Sequence, residues 1–161
     1  MSEEKRGWMR YWPLIALVIV GALAATAIWT RVGSGWMHYF MGLLFVQFAL
    51  LKLFDISGFA DGFQMYDLLA KHNRVYALAY PFIELLLGLG YLSFIFPEFI
   101  YLLTIVLMGA GTIGVILSLK KGLNVRCSCM GTALNVPLST VTLSEDIGMG
   151  LMALMLLIQS Q

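Results

Sequence analysis

Residues 75–119 read VYALAYPFIELLLGLGYLSFIFPEFIYLLTIVLMGAGTIGVILSL. The stretch holds two apolar runs, 75–96 and 99–119, which only Pro97 and Glu98 interrupt. Each run is long enough to cross the hydrocarbon core of a bilayer, which takes about 20 helical residues. We therefore predict two transmembrane helices joined by a tight turn.

The composition of the whole chain indicates the same environment. Apolar residues make up 60% and charged residues 12% of the 161 residues, against about 45–50% and 25% in soluble domains. So few charged side chains cannot cover the surface of a soluble domain. We predict one integral membrane domain over residues 1–161, surrounded by the lipid bilayer. The net charge of +1 gives no reason to expect nucleic acid as a partner.

Three further apolar runs are candidate spans, at residues 11–29, 36–54 and 143–158. The last is the weakest, because Glu145 and Asp146 lie at its start. Carboxylates in a first turn suit the positive end of the helix dipole, so they mark the start of a helix and do not exclude a span. The predicted fold is all-α, a polytopic transmembrane helical bundle with five spans.

A short amphipathic segment separates the second span from the third. Between residues 57 and 72, one helical face carries apolar side chains and the other faces are polar. The apolar face consists of Phe59, Phe63, Tyr66 and Ala70. Ser57 is the predicted N-cap, because a serine hydroxyl can accept a hydrogen bond from the first turn. We predict a short helix that lies in the inner membrane interface.

The distribution of lysine and arginine predicts the orientation of the bundle. With five spans, Arg31 alone falls on one side, and nine basic residues fall on the other: Lys5, Arg6, Arg10, Lys52, Lys71, Arg74, Lys120, Lys121 and Arg126. Basic loops stay in the cytoplasm. We therefore predict a multi-pass protein of the cell (inner) membrane with its N-terminus and the fourth-to-fifth connection in the cytoplasm and its C-terminus outside.

That connection holds both cysteines of the chain, Cys127 and Cys129, in the stretch RCSCMG at residues 126–131. A Cys-x-Cys disulfide closes only if the chain bends, so the bond is strained. Strained, accessible disulfides exchange readily. Arg126 can favour the thiolate form that exchange requires. The pair is therefore a candidate redox centre, and two inert thiols are the alternative.

Metal binding is a second functional interpretation of the same stretch. Two thiolates and the Met130 thioether are soft ligands, which suit Cu(I) or another thiophilic ion. No other cofactor is indicated. His38 and His72 are distant in sequence, and each is expected to be an interfacial residue with no role as a ligand. His38 is expected near the outer face.

Glu84 lies well inside the third span. A charge at such depth costs about 3 kcal/mol or more, so its side chain should face the bundle and meet a partner, or be protonated. Lys52 on the second span, with Gln47 nearby, is the predicted partner. The group is either a proton or ion relay or a polar clamp that fixes helix register.

Small residues form a flat strip on the fourth span at Ala110, Gly111 and Gly114. Such strips allow helices to approach closely in a membrane. The strip predicts either an internal interface or a homodimer.

Three stretches stand in a characteristic order: LLKLFD at the end of a span, YPFIELLLGLGYL in the next span, and KKGLNVRCSCMG before a closing helix. In these stretches the chain resembles the MauE/DoxX-like membrane proteins. It implies a four-helix core at residues 36–158, with 11–29 as an added N-terminal helix. Cys127, Cys129 and Gly131 fall on the family's Cys-Gly-Cys-Phe-Gly run. Ser128 and Met130 replace the glycine and the phenylalanine.

The resemblance implies a membrane protein associated with thiol redox chemistry, since such proteins are thought to assist maturation of a disulfide-rich enzyme subunit. The first hypothesis is a thiol-disulfide oxidoreductase that exchanges electrons with a thioredoxin- or glutaredoxin-like partner through Cys127 and Cys129, with Arg126, Gly131, Glu84 and Lys52 in support. The second is a soft-metal transporter or binding protein. The third is an assembly factor whose helices hold a partner.

Overall fold

The computed structural model describes residues 2–121 and 138–161, and the side chains of residues 12–121 and 143–161. These ranges form helices and no strand, which confirms the all-α prediction. In chain order the helices are α1 (Ser2–Val32), α2 (Trp36–Phe54), α3 (Ile56–Tyr66), α4 (Arg74–Ser93), α5 (Pro97–Lys120) and α6 (Leu138–Gln159).

Four of the described helices are long and apolar enough to cross a membrane. They are the Trp12–Val32 part of α1, with α2, α4 and α5 over their whole lengths. These helices correspond to the predicted spans 11–29, 36–54, 75–96 and 99–119. The predicted span 143–158 lies in α6, which is not among the four, so the fifth span and the topology derived from it stay predictions.

The turn between α4 and α5 is tighter than the sequence suggests. The predicted span 75–96 ends early, because α4 stops at Ser93 and Phe94 takes a left-handed conformation with φ 54°. Phe96 is also left-handed, with φ 44°, and Pro97 then begins α5. Positive φ is uncommon in residues other than glycine. Here the two left-handed residues reverse the chain within a few positions.

The bundle is assembled from two closely packed pairs of helices, α2 with α4 and α5 with α6. Two glycines allow the first pair to approach. A Cβ atom on Gly42 would lie 3.0 Å from the Gly88 carbonyl oxygen, and a Cβ atom on Gly88 would lie 3.0 Å from the Gly42 oxygen. Glycine pairs of this kind are typical of helix contacts in membranes. The backbone of α1 approaches only α2 within the described residues.

Helix α3 packs against α4 and α5 through its predicted apolar face. Phe59, Phe63, Tyr66 and Ala70 are all buried, which confirms that face. The predicted N-cap at Ser57 is wrong. Asp55 caps the helix instead, because its Oδ1 accepts a hydrogen bond from the Gly58 amide at 3.0 Å and the helix starts at Ile56. The position of α3 relative to the membrane surface stays a prediction.

Two glycines of the predicted strip on α5 serve contacts inside this chain. A Cβ atom on Gly114 would lie 2.7 Å from the backbone oxygen of Tyr66, and one on Gly111 would lie 2.7 Å from Oδ2 of Asp146. The missing side chain at Gly114 therefore allows the end of α3 to pack closely against α5, and that at Gly111 allows α6 to do so. These contacts favour the internal interface over a homodimer for this pair.

Gly114→Ala is expected to lower the free energy of unfolding by about 1–3 kcal/mol, because the new methyl group would displace a backbone carbonyl. Thermal unfolding in detergent measures the effect. Gly109→Ala is the matched control on the same helix, since a Cβ atom there meets nothing within 4 Å. It should be neutral or slightly stabilising. Equal melting temperatures for both variants would contradict the close contact.

Candidate functional site

A buried ion pair lies between α2 and α4. The Lys52 Nζ atom is 2.6 Å from both carboxylate oxygens of Glu84, and the two side chains are 4% and 2% exposed. This confirms Lys52 as the predicted partner of Glu84. A charge among apolar helices is costly unless a partner compensates it. The two-oxygen contact supplies that compensation.

Aromatic rings enclose the ammonium group. Lys52 Nζ lies 5.5 Å from the ring centre of Phe59 and 5.4 Å from that of Tyr80. Attraction between a desolvated cation and an aromatic face contributes up to about 2 kcal/mol. Phe59 is fully buried and belongs to α3, whereas Tyr80 lies one turn before Glu84 on α4. The short helix α3 therefore covers the ion pair.

A small cavity adjoins this ion pair. Its volume of about 10 Å³ is room for roughly one water molecule. Helices α2 to α6 all contribute to its lining, which consists of Lys52, Phe59, Phe63, Tyr66, Tyr80, Gly111, Glu145 and Asp146. Asp146 is 7% exposed, and it reaches the cavity because Gly111 lacks a side chain.

The position of Asp146 corrects the prediction for the last helix. Glu145 and Asp146 were expected in its first turn, but α6 begins at Leu138, so both residues lie about two turns further along. Asp146 is directed into the bundle, where it contacts Gly111. Its carboxyl group is therefore part of the polar interior and is not a marker of the helix start.

The cavity region brings together one ammonium group and three carboxyl groups among the described residues, those of Lys52, Glu84, Glu145 and Asp146. Ionisable groups inside a membrane bundle are typical of proton relays and ion pathways. In the part of the chain with described side chains, no three histidine, cysteine or acidic residues are arranged to hold a metal ion.

A second buried polar cluster surrounds His38, near the start of α2. Its Nδ1 lies 3.0 Å from the Tyr91 carbonyl oxygen, which can only accept, so Nδ1 carries the proton. The other ring nitrogen, Nε2, accepts a hydrogen bond from the Tyr101 hydroxyl group. Phe94 stacks on the imidazole with ring centres 4.3 Å apart. The cluster joins α2, α4 and α5.

His38 was expected near the outer membrane interface, which stays a prediction, and the structure adds that only 5% of the residue is exposed. No spacing in the sequence connects it with Tyr91 and Tyr101, which belong to other helices. Within α2 it lies near the opposite end from Lys52. The cluster is therefore separate from the ion pair.

Cys127, Cys129, Arg126, Met130 and Gly131 lie outside the described residues. Their predicted redox and metal roles stay predictions. The described helices show where the connection that carries them begins and ends. It follows Lys121 after α5 and precedes Leu138 of α6. Gly111 and Asp146, which face each other at the cavity, lie nine residues before Lys120 and eight after Leu138, or about 12–14 Å along each helix.

Apolar helices long enough to span a bilayer, packed around a buried ion pair, define a multi-pass integral membrane protein. Within that class, the chain belongs to the MauE family: the family model described as methylamine utilisation protein MauE matches residues 34–159. The match confirms the resemblance and includes α2 to α6. No curated protein and no solved structure matches the chain.

Proposed function

We propose that this protein is a membrane thiol-disulfide exchange protein, in which Cys127 and Cys129 exchange electrons with a thioredoxin- or glutaredoxin-like partner and so assist the redox maturation of other proteins. The observation that carries the proposal is the family match, which spans the segment with both cysteines. The basic residues around that segment support a protein of the inner membrane whose cysteine-containing connection faces the cytoplasm.

The exchange step needs no further reactant. A partner thiolate attacks one sulfur of the Cys127–Cys129 disulfide and forms a mixed disulfide. The second partner thiolate then attacks that bond. The partner leaves oxidised, and the pair keeps two electrons and takes up two protons as two thiols. The same steps run in reverse when the partner is the oxidant.

The described helices support this chemistry in two ways. Lys120 ends α5 and Lys121 follows it just before the connection, and both are exposed. Nearby positive charge favours the thiolate. The cavity beside Lys52 and Glu84 holds ionisable groups about 12–14 Å along α5 and α6 from the ends of that connection. Those groups are proton donors and acceptors on the two helices that the connection joins.

Cys129→Ser is expected to abolish exchange and to let Cys127 accumulate a mixed disulfide with its partner, because no second thiol is left to resolve it. Non-reducing electrophoresis of the affinity-purified full chain detects the adduct. Cys127→Ser/Cys129→Ser is the control and should trap nothing. The proposal fails if no adduct forms with Cys129→Ser under any redox condition.

Soft-metal binding is the second candidate function, and the CSCM stretch favours it by offering three sulfur ligands within four residues. Met130→Leu separates the two functions, because it keeps the apolar volume and removes the thioether. If the cysteines are a redox pair, the reduction potential of the Met130→Leu variant should stay within about 30 mV of wild type, which corresponds to about 1.4 kcal/mol. If they belong to a metal site, the affinity of the variant for Cu(I) should fall measurably.

A further inference from the structure

A short connection between α3 and α4 is fixed by hydrogen bonds. The Leu69 and Ala70 amides donate to Oδ1 of the buried Asp67 at 2.9 and 2.8 Å. The Asn73 amide donates to the Leu69 carbonyl oxygen at 3.2 Å, and the Asn73 side chain caps α4. We call residues 67–73 the α3–α4 turn. Its hydrogen bonds give the backbone a defined conformation, which sets the directions of its side chains.

The α3–α4 turn holds two apolar side chains outside the bundle. Leu68 is 46% and Leu69 is 57% exposed, whereas Asp67 and Ala70 beside them are buried. Leaving a leucine exposed to water forgoes the free energy that its burial would contribute, and the hydrogen-bonded backbone keeps both side chains outward. Exposed apolar surface beside polar residues marks contact with a membrane or a protein.

The turn directly precedes a helix that can cross the membrane. Arg74, the residue after the turn, begins the apolar helix Arg74–Ser93. The end of a span lies where acyl chains meet phospholipid headgroups. Apolar side chains at this depth reach the acyl chains, and basic side chains reach the headgroups. The position of the turn thus favours lipid over a soluble protein as the cover of Leu68 and Leu69.

Basic side chains collect at the end of the bundle that carries the turn. The end of α5 lies nearby, because the Tyr66 backbone oxygen at the end of α3 lies against Gly114. Lys120 follows Gly114 by six residues, or about 9 Å along the helix. The exposed basic residues at this end are Lys71, Arg74, Lys120 and Lys121.

Acidic side chains do not balance this charge. Among the residues with described side chains, Asp61 is the exposed carboxylate at this end, and it pairs with Arg74 at 2.9 Å. A guanidinium group has five N–H donors, so this pair leaves donors for another acceptor. At the opposite end, the exposed charged residues of the same ranges are Arg31 and Glu98, which have opposite signs. The described positive excess is therefore at the end with the α3–α4 turn.

We infer that this surface, formed by Leu68, Leu69, Lys71 and Arg74 with Lys120 and Lys121 beside them, binds anionic phospholipids. The leucines lie among the acyl chains, and the basic side chains contact the phosphates. A zwitterionic lipid also carries a phosphate, but its own ammonium group offsets that charge, so it gains less from the basic residues. Each lysine or arginine close to an anionic membrane surface strengthens binding about fivefold. The inference goes beyond the proposed function and does not depend on the cysteines.

The test titrates the delipidated full chain in detergent with dioleoylphosphatidylglycerol and follows bound lipid by native mass spectrometry. Dioleoylphosphatidylcholine, which has the same acyl chains, is the matched lipid. Wild type should bind the glycerol lipid about tenfold more tightly than the choline lipid. Lys71→Gln/Arg74→Gln should lose about tenfold of that affinity and keep its affinity for the choline lipid. Equal affinities of wild type for the two lipids would overturn the inference.

Arg31→Gln is the matched charge control, because it removes one exposed basic side chain from the opposite end of the bundle. It should bind phosphatidylglycerol as wild type does, whereas Lys71→Gln should bind about fivefold more weakly. Lys71→Arg/Arg74→Lys keeps both charges and should bind as wild type does, which separates a loss of charge from a loss of fold. The same affinity in Arg31→Gln and Lys71→Gln would show that no local site attracts the lipid and would overturn the inference.

The place of the leucines is tested with a fluorescent label at position 69. Leu69→Cys in the Cys127→Ser/Cys129→Ser protein gives one thiol, which is labelled with bimane in nanodiscs that contain phosphatidylglycerol. Lipids with a nitroxide near the headgroup end of the acyl chain should quench the label strongly, and iodide in the water should quench it weakly. Strong quenching by iodide and none by the nitroxide lipid would place the turn in water and would overturn the contact with acyl chains.

Discussion

Glu84→Leu is expected to lower the free energy of unfolding by about 3–5 kcal/mol, because it removes the carboxylate that binds the buried Lys52 ammonium group. Lys52 donates to both oxygens of Glu84 at 2.6 Å, so the substitution removes two charge-assisted hydrogen bonds at once. Thermal or denaturant unfolding in detergent measures the loss. Unchanged stability of this variant would mean that the buried partner does not exist.

The double variant Lys52→Met/Glu84→Leu is the matched control for the charge. Replacing both members of a buried ion pair by apolar residues is often neutral or stabilising, whereas removing one member is not. The double variant should therefore recover most of the lost stability. A loss as large as that of Glu84→Leu would show that packing dominates at this position.

Glu84→Gln distinguishes a polar clamp from a proton relay. The amide keeps a hydrogen-bond acceptor for Lys52 but cannot carry a proton between groups. If the pair is a clamp, this variant should lose less stability than Glu84→Leu and keep thiol exchange. Wild-type stability together with lost exchange would identify a relay.

Phe59→Ala is expected to lower the free energy of unfolding by about 3–5 kcal/mol, which is typical of a buried phenylalanine replaced by alanine. Phe59 is 0% exposed, and its ring stacks on Phe63 and Tyr80 as well as facing Lys52. Its loss opens a space directly beside the ammonium group. Hydrogen exchange should show weaker protection across α3.

Met65→Ala is the control on the same helix, because Met65 is 61% exposed. It should change stability by about 0.5 kcal/mol or less. Phe59→Leu should fall between the two, since it keeps apolar volume and loses the aromatic face. A loss for Met65→Ala equal to that of Phe59→Ala would contradict the role of α3 as the cover of the ion pair.

The sequence predicts those features of this fold that depend on composition within one segment. Hydropathy alone locates the four helices that are long and apolar enough to cross a membrane, and the spacing of Phe59, Phe63 and Tyr66 predicts the buried face of α3. The Lys52–Glu84 pair is also predictable, because a charge deep in a span must have a partner of opposite sign and few candidates exist.

Features that depend on how helices rotate against one another are not predictable in this way. His38 is buried because Tyr91 and Tyr101 reach it from two other helices. Asp146 enters the cavity because Gly111 faces it across α5 and α6. Phe94 ends α4 early because it adopts a left-handed conformation and stacks on His38. Each of these facts is set by contacts between segments that are distant in sequence.

The sequence separation of the ion pair has a consequence for biosynthesis. Lys52 and Glu84 are 32 residues apart, so the ribosome completes α2 before it has made the carboxylate that neutralises its lysine. At about 5–20 residues per second, the wait lasts roughly 2–6 s. During that time Lys52, two residues from the end of α2, can extend its ammonium group to the headgroup region. We expect it to move inward when α4 enters the bilayer and brings Glu84 to it. Helices α2 and α4 are therefore expected to pack together late in insertion.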